Sequence, residues 1–215
     1  MFSAAEQMLM NEGMTFADVT RTWIYFSAME QDYPGFNKAR REFFTTRGVE
    51  PIPASTGIGA NLASDTHRLS LGFVATRGTH SVTRMVMTTP TLNEAGDYGS
   101  DFSRGMRAEE INRSALYISG TASLDETGAT VHLNNVEKQA ERTLINVAAL
   151  LEQQGASFKD VMSAITYIKH SEDVPLVMQK YKESGFSGFP HVVVQAEVCR
   201  PELLCETELL AVTSD

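Results

Sequence analysis

Cysteine, tryptophan and basic side chains are scarce in this chain. Only two of its 215 residues are cysteine, Cys199 and Cys205. That is too few for a disulfide framework, and the pair lacks the spacing of a zinc site. No HExxH, P-loop or dinucleotide-binding glycine pattern occurs, and no serine or threonine has a nucleophile-elbow context. The sequence therefore calls for no metal and no cofactor. Lysine and arginine total 18 against 27 aspartates and glutamates, a net charge of −9. Gripping nucleic acid requires clustered cations that displace counterions from phosphates, so no nucleic-acid partner is expected. No apolar run reaches membrane length, which argues against a membrane partner. The opening "MFSAAEQMLMNEG" has neither the basic head nor the apolar centre of a signal peptide, and a soluble cytoplasmic protein is the expectation.

What the chain does have is a sizeable apolar fraction, 42%, and a repeat. "GMTFADVTRTWIYF" (13–26) aligns without a gap to "GASFKDVMSAITYI" (155–168), pairing Gly13, Phe16, Asp18, Val19 and Tyr25 with Gly155, Phe158, Asp160, Val161 and Tyr167. Around the first copy the periodicity reads helix, strand, helix ending at Gly48, extended segment, then the alternating strand "RLSLGFVAT". Residues 77–97 read as a connector with room for one strand. After it, "ALYISGTASL" reads as a strand, "DETG" as a hairpin turn and "ATVHL" as the returning strand. A helix over 136–154 follows, capped by Asn134 or Asn135. Next come the strand "VMSAITYIK", a short helix with Pro175 in its first turn, and the strands "HVVVQAEV" and "CETELLAV".

The second half thus reads β-β-α-β-α-β-β, and the first half α-β-α-β-β, the same order without an opening hairpin. The chain opens at Met1 inside what would be a helix of the first copy. The expected organisation is an incomplete, degenerate copy over 1–76, the connector over 77–97 and a complete copy over 98–215. Aligning Pro53 with Pro190 sets Leu69 opposite Glu206 and Leu71 opposite Glu208. On that alignment any acid–base site belongs to the second copy, with the first as scaffold.

The pieces "YGSDFSRGM", "LYISGTASLD", "GASFKDV", "YIKHSEDVPLVMQKY" and "CETELLAV" are similar, in order and spacing, to the YjgF/RidA superfamily. This resemblance implies an α+β fold, a RidA-like (chorismate mutase-like) domain preceded by a partial N-terminal second copy. It also implies trimers, or a pseudo-trimer built from tandem copies, with ligand clefts between subunits. The stretch "RTWIYF…YPGFNKARREFF…RGVEPIPASTGIGA" resembles the N-terminal half of the chorismatases, tandem proteins of this fold that hydrolyse chorismate and release pyruvate. Simpler relatives go by the names imine deaminase, translation initiation inhibitor and L-PSP endoribonuclease.

Glu206 is the first candidate for catalysis. It lies on a strand with apolar neighbours, and burial raises a carboxyl pKa, which suits a general acid. The plainer reading is an edge-strand glutamate facing solvent. Glu208 lies on the same face, so the choice of Glu206 rests on the resemblance. Cys199 matches a cysteine near the acid of certain chorismatases; otherwise it is a small buried hydrophobe. Cys205, adjacent to Glu206, points to the opposite face and reads as core. Arg104 and Arg200 are candidate anchors for ligand carboxylates, or else surface arginines. In the family, the strand and turn holding Tyr117, Ser119, Gly120 and Thr121 line the cleft. His191 stands where RidA deaminases have an arginine that clamps the substrate carboxylate. A neutral imidazole cannot make that two-pronged contact. Enamine or imine deamination is therefore the second reading, and a non-catalytic binder of a small carboxylate a third. RNA cleavage fits poorly with the acidic balance.

Overall fold

The computed structural model describes residues 1–63, 66–77 and 82–214. In chain order its elements are α1 (Phe2–Asn11), β1 (Val19–Phe26), α2 (Met29–Arg47), β2 (Ala54–Gly59), β3 (Leu69–Ala75), β4 (Thr83–Met87), β5 (Gly105–Glu109), β6 (Arg113–Ala122), α3 (Val136–Glu152), β7 (Val161–Ile168), α4 (Val174–Glu183), β8 (His191–Gln195) and β9 (Cys205–Ser214). The fold is α+β. None of its helices, among the described residues, is long and apolar enough to cross a membrane.

Local chemistry explains why the two repeated stretches fold alike. Gly13 and Gly155 take left-handed φ values of 69° and 70°, which glycine adopts without steric cost. Each is followed by a single 3-10 turn closed by a capping box. Thr15 N–H donates to Asp18 Oδ2 at 2.7 Å, and Ser157 N–H to Asp160 Oδ2 at 2.8 Å. The strands that follow, β1 and β7, carry the same bulge, between Val19 and Arg21 in one and between Val161 and Ser163 in the other.

Sheet order repeats as well. One sheet runs β2-β1-β3, with β1 and β2 parallel and β1 and β3 antiparallel. The other runs β4-β5-β6-β9-β7-β8, and its β8-β7-β9 end has the same order and directions. Strand pairing corrects the alignment drawn on the prolines. Tyr167 pairs with Glu206 and its counterpart Tyr25 pairs with Ser70; Ile165 pairs with Glu208 and its counterpart Trp23 with Gly72. The first-copy counterparts of the two glutamates are thus Ser70 and Gly72, one residue away from Leu69 and Leu71. A one-residue slip moves a side chain to the other face, and Leu69 and Leu71 do pack toward the helix-side core. That the first copy has no carboxylates there still holds.

One further expectation changes. The opening hairpin of the second half is β5–β6, and the segment read as a returning strand forms only an isolated bridge, Leu124 to Thr130. His132 and Asn134 have φ of 60° and 57°, which no strand accommodates. The one strand for which the connector had room is β4, which pairs with β5 and extends the larger sheet. The cap of α3 is Asn135, whose side chain accepts from Lys138 N–H at 2.9 Å.

Each sheet is covered by helices on one face. α3 buries Leu144, Val147 and Leu151 against Leu116 and Ile118 of the larger sheet. α2 buries Phe36 near Phe26, ring centroids 5.2 Å apart, and Phe44 near Phe16, 6.1 Å apart. β2 then stitches the small sheet onto the large one. Ser55 N–H donates to Ser119 Oγ at 2.8 Å, Ser103 N–H to Pro53 O at 3.1 Å, and Gly59 N–H to Glu197 O at 2.8 Å.

Candidate functional site

The seam between α2, β2 and the larger sheet encloses a cavity of about 390 Å³. From the N-terminal half, α2 supplies Tyr33, Phe36, Asn37 and Arg40, and β2 supplies Ser55 and Gly57. The C-terminal half supplies Ser100, Phe102, Arg104, Gly120, Cys199, Arg200, Leu203 and Glu206. The volume suits a small organic ligand.

Glu206 is 4% exposed and faces this cavity from β9 between Ala122 and Tyr167. Burial, helped by the negative charge of Glu208, pushes its carboxyl up to about 8, against the pull of Arg21, Arg104 and Arg200. Glu208, its neighbour on the same face, is differently placed. Arg21 of β1 meets its Oε2 at 2.6 Å and the Trp23 indole N–H donates to its Oε1 at 2.8 Å. One carboxyl is thus pinned by the small sheet, and the other opens on the cavity.

Gly120 is where the backbone makes room. A Cβ at this position would stand 1.8 Å from Glu206 Oε1 and 2.8 Å from its Cδ. The β6–β9 ladder breaks its register between Ile118 and Thr121, as a bulge does. This lets Gly120 N–H donate to Thr56 Oγ1 of β2 at 2.9 Å. The Thr121 hydroxyl donates to Ser119 O at 2.9 Å and braces the same bulge.

Three arginines give the cavity a positive lining in an acidic protein. Arg40 and Arg104 are 4% and 2% exposed. Arg40 Nη2 donates to Asn37 Oδ1 at 2.8 Å, and its guanidinium lies 4.9 Å from the Phe36 ring and 5.6 Å from the Phe102 ring. Arg104 Nε donates to Asn93 O at 2.7 Å. Arg200 Nη1 donates to Gly128 O at 2.8 Å. Backbone carbonyls and an amide thus orient the forks. Burial pushes the Cys199 thiol up to about 12, with Glu206 adding to the shift. A thiol so raised keeps its proton at neutral pH and is no thiolate nucleophile. Tyr33 packs against Cys199, its hydroxyl also pushed well above its ordinary value by burial.

Of the residues singled out in the sequence, Glu206, Cys199, Arg104, Arg200 and Gly120 converge on this cavity. Three others lie elsewhere. Tyr117 opposes Leu210, further along β9, and lines a separate cavity of about 370 Å³ with Arg21, Trp23, Tyr25 and Glu208. Thr121 is buried and serves the bulge. His191 is on the helix side of its sheet, near Tyr181 and Phe186 (6.0 and 5.3 Å between ring centroids). Its Nε2 is 2.8 Å from Thr166 Oγ1, and burial lowers its pKa. Arg40, Asn37, Tyr33, Phe102 and Ser55 also line the cavity and are not among the site residues expected from the sequence. For Arg40 there was a signal: an arginine on the face of α2 that carries Phe36.

This arrangement is that of an α+β protein whose strand order occurs twice and whose cleft lies between its two sheets. Residues 97–213 match the Endoribonuclease L-PSP family, and the chain belongs to that family. A 3-hydroxybenzoate synthase from Streptomyces hygroscopicus is 27% identical over 223 residues, covering 92% of this chain and 64% of its own length. A RutC family protein from Pyrococcus abyssi is 31% identical over 98 residues, 45% of this chain and 76% of that protein. Among solved structures, a chorismatase superposes with a TM-score of 0.83 at 24% identity, over 98% of this chain and 68% of that one. The match over nearly the whole chain makes the fold chorismatase-like, and the chain spans about two thirds of the length of these two longer proteins.

Proposed function

We propose that the protein hydrolyses an enolpyruvyl ether of the chorismate type, releasing pyruvate, with Glu206 as the general acid. The observation that carries this reading is a carboxyl raised to about 8, facing a cavity lined by Arg40, Arg104 and Arg200. Chorismate carries two carboxylates, and buried arginine forks are suited to hold them. The similarity to a 3-hydroxybenzoate synthase and to a chorismatase points the same way.

In the proposed reaction Glu206 gives its proton to the methylene carbon of the enolpyruvyl group. The C=C electron pair forms the new C–H bond, and positive charge develops on the adjoining ether carbon as an oxocarbenium ion. Water adds to that carbon and returns a proton to the Glu206 carboxylate. The hemiketal hydroxyl then gives up its proton and forms the C=O bond as the bond to the ring oxygen breaks, and the ring oxygen takes up one proton, giving pyruvate and a ring alcohol. The acid must be protonated at rest, which its raised pKa provides near neutral pH. Cys199, as a neutral thiol, shapes the wall beside it.

The repeated strand order of the two sheets supports tandem copies. As part of the same proposal, 1–76 is an incomplete copy, 77–97 a connector and 98–215 the complete copy, and the protein is a trimer or pseudo-trimer of the cytoplasm. Incubation with chorismate, measuring pyruvate and identifying the ring product, tests the activity. A parallel incubation with an amino-acid-derived enamine, measuring ammonia, tests the deaminase reading. Pyruvate without ammonia is expected. Ammonia release alone would replace the proposal, and thermal stabilisation by chorismate without turnover would make the protein a binder.

A further inference from the structure

Glu208 does not face the cavity of Glu206, yet its surroundings are built with care. Both of its carboxylate oxygens are occupied by the other sheet, one by Arg21 at 2.6 Å and one by Trp23 at 2.8 Å. Arg21 and Glu208 are 2% and 4% exposed. A buried ion pair of this kind adds little net stability over an apolar pair of the same shape. The pair also continues toward Glu206. Arg21 Nη2 donates a short hydrogen bond to Thr56 Oγ1, and that oxygen accepts Gly120 N–H at 2.9 Å. Gly120 is the residue against which the Glu206 carboxyl rests.

We propose that Arg21 and Trp23 of β1 hold Glu208 as a fixed negative charge beside Glu206, and that this clamp makes Glu208 and Arg21 positioning residues for proton donation by Glu206. The inference rests on the reading of Glu206 as the acid. It assigns the N-terminal sheet a part in the chemistry beyond walling the cavity. Two routes connect clamp and acid. Along β9, Glu208 lies two residues from Glu206 on one face, about 7 Å away at strand spacing, and disfavours a second negative charge. Across the seam, the Arg21–Thr56–Gly120 chain fixes the bulge that receives the Glu206 carboxyl. The other titratable or charged groups around the pair are Tyr25 on β1, Tyr117 on β6, Tyr167 on β7, Tyr33 and Arg40 on α2, Arg104 before β5, and Cys199 and Arg200 between β8 and β9. Burial first and the charge of Glu208 second disfavour ionised Glu206, and Arg21, Arg104 and Arg200 favour it, so Glu208 is the charge that opposes the three arginines.

The test uses Glu208→Gln. It removes the negative charge and leaves Arg21 positive and unneutralised, which favours ionised Glu206. The alkaline limb of kcat/KM for pyruvate release should move down by about one pH unit or more, or about tenfold less activity at pH 9. A limb that stays in place while kcat falls would reduce Glu208 to a structural residue and overturn the proposal. The chain's single tryptophan, Trp23, gives a second readout that needs neither substrate nor a folded Glu208 variant. In the wild type its fluorescence should show a titration step near pH 8 that Glu206→Gln abolishes. No step, or one that survives Glu206→Gln, would show that clamp and acid are uncoupled. If chorismate is not turned over at all, the activity proposed above fails, and the fluorescence step still decides whether the clamp senses Glu206.

Discussion

Glutamine at position 206 keeps the shape of the side chain and removes its proton equilibrium. In the unfolded chain Glu206 titrates near its ordinary value of 4.5, whereas burial beside Glu208 raises it to about 8 in the fold. A folded-state pKa above the unfolded one gives stability that is complete below 4.5 and is lost as pH rises through about 8. Between those two values the folded protein holds a proton that the unfolded chain has released. Each pH unit there lowers the unfolding free energy by about 1.4 kcal/mol, with a ceiling of roughly 5 kcal/mol for this group. Glu206→Gln has no such slope. Relative to wild type, the variant should therefore gain about 4 kcal/mol of stability between pH 5 and pH 8 while losing activity. Urea denaturation of both proteins at pH 5, 6, 7 and 8 measures the difference directly, since other titrations cancel in the comparison. A difference that stays level within about 1 kcal/mol across this range would refute the assignment of a raised, buried Glu206.

Gly120→Ala should drive Glu206 out of its place, because the added Cβ falls 1.8 Å from Oε1. We expect kcat to drop by about a hundredfold or more with near-native circular dichroism. Arg40→Met removes one buried cationic fork, and KM for a dicarboxylate substrate should rise about ten- to a hundredfold; an unchanged KM would place the substrate elsewhere in the cavity. His191→Ala strips the Thr166 hydroxyl of a partner within the buried set Thr166, Thr207 and Tyr181. It should cost about 1–3 kcal/mol of stability and leave KM unchanged. A large rise in KM would restore His191 as a ligand.

The repeat was readable because its signals are short-range: a left-handed glycine, a capping box and a bulge, each encoded within a few residues. The failures have local physical causes too. "ATVHL" alternates like a strand, but His132 and Asn134 turn left-handed within and after it. β5 is only five residues long, with Arg107 and Glu109 among them, and carries no β-branched side chain. In the site, alternation placed Glu206 and Glu208 on one face but could not choose between them. That choice depends on Arg21, 187 residues away from Glu208 in sequence. Tyr117 was placed on the right strand, but the bulge after Ile118 separates it from the turn at Gly120. The N-terminal copy looked like scaffold because it lacks carboxylates at the positions matching Glu206 and Glu208, yet α2 brings Arg40, Asn37 and Tyr33 to the cavity. An arginine on an apolar helix face was the visible clue.

In the proposed reaction a buried, protonated Glu206 cleaves an enolpyruvyl ether. Pyruvate formation from chorismate at pH 7, followed for wild type and Glu206→Gln with both shown to be folded, tests it most directly. Steady release by the wild type and a loss of at least about a hundredfold in the variant are expected. Equal rates in the two proteins, or no release by folded wild type, would contradict it.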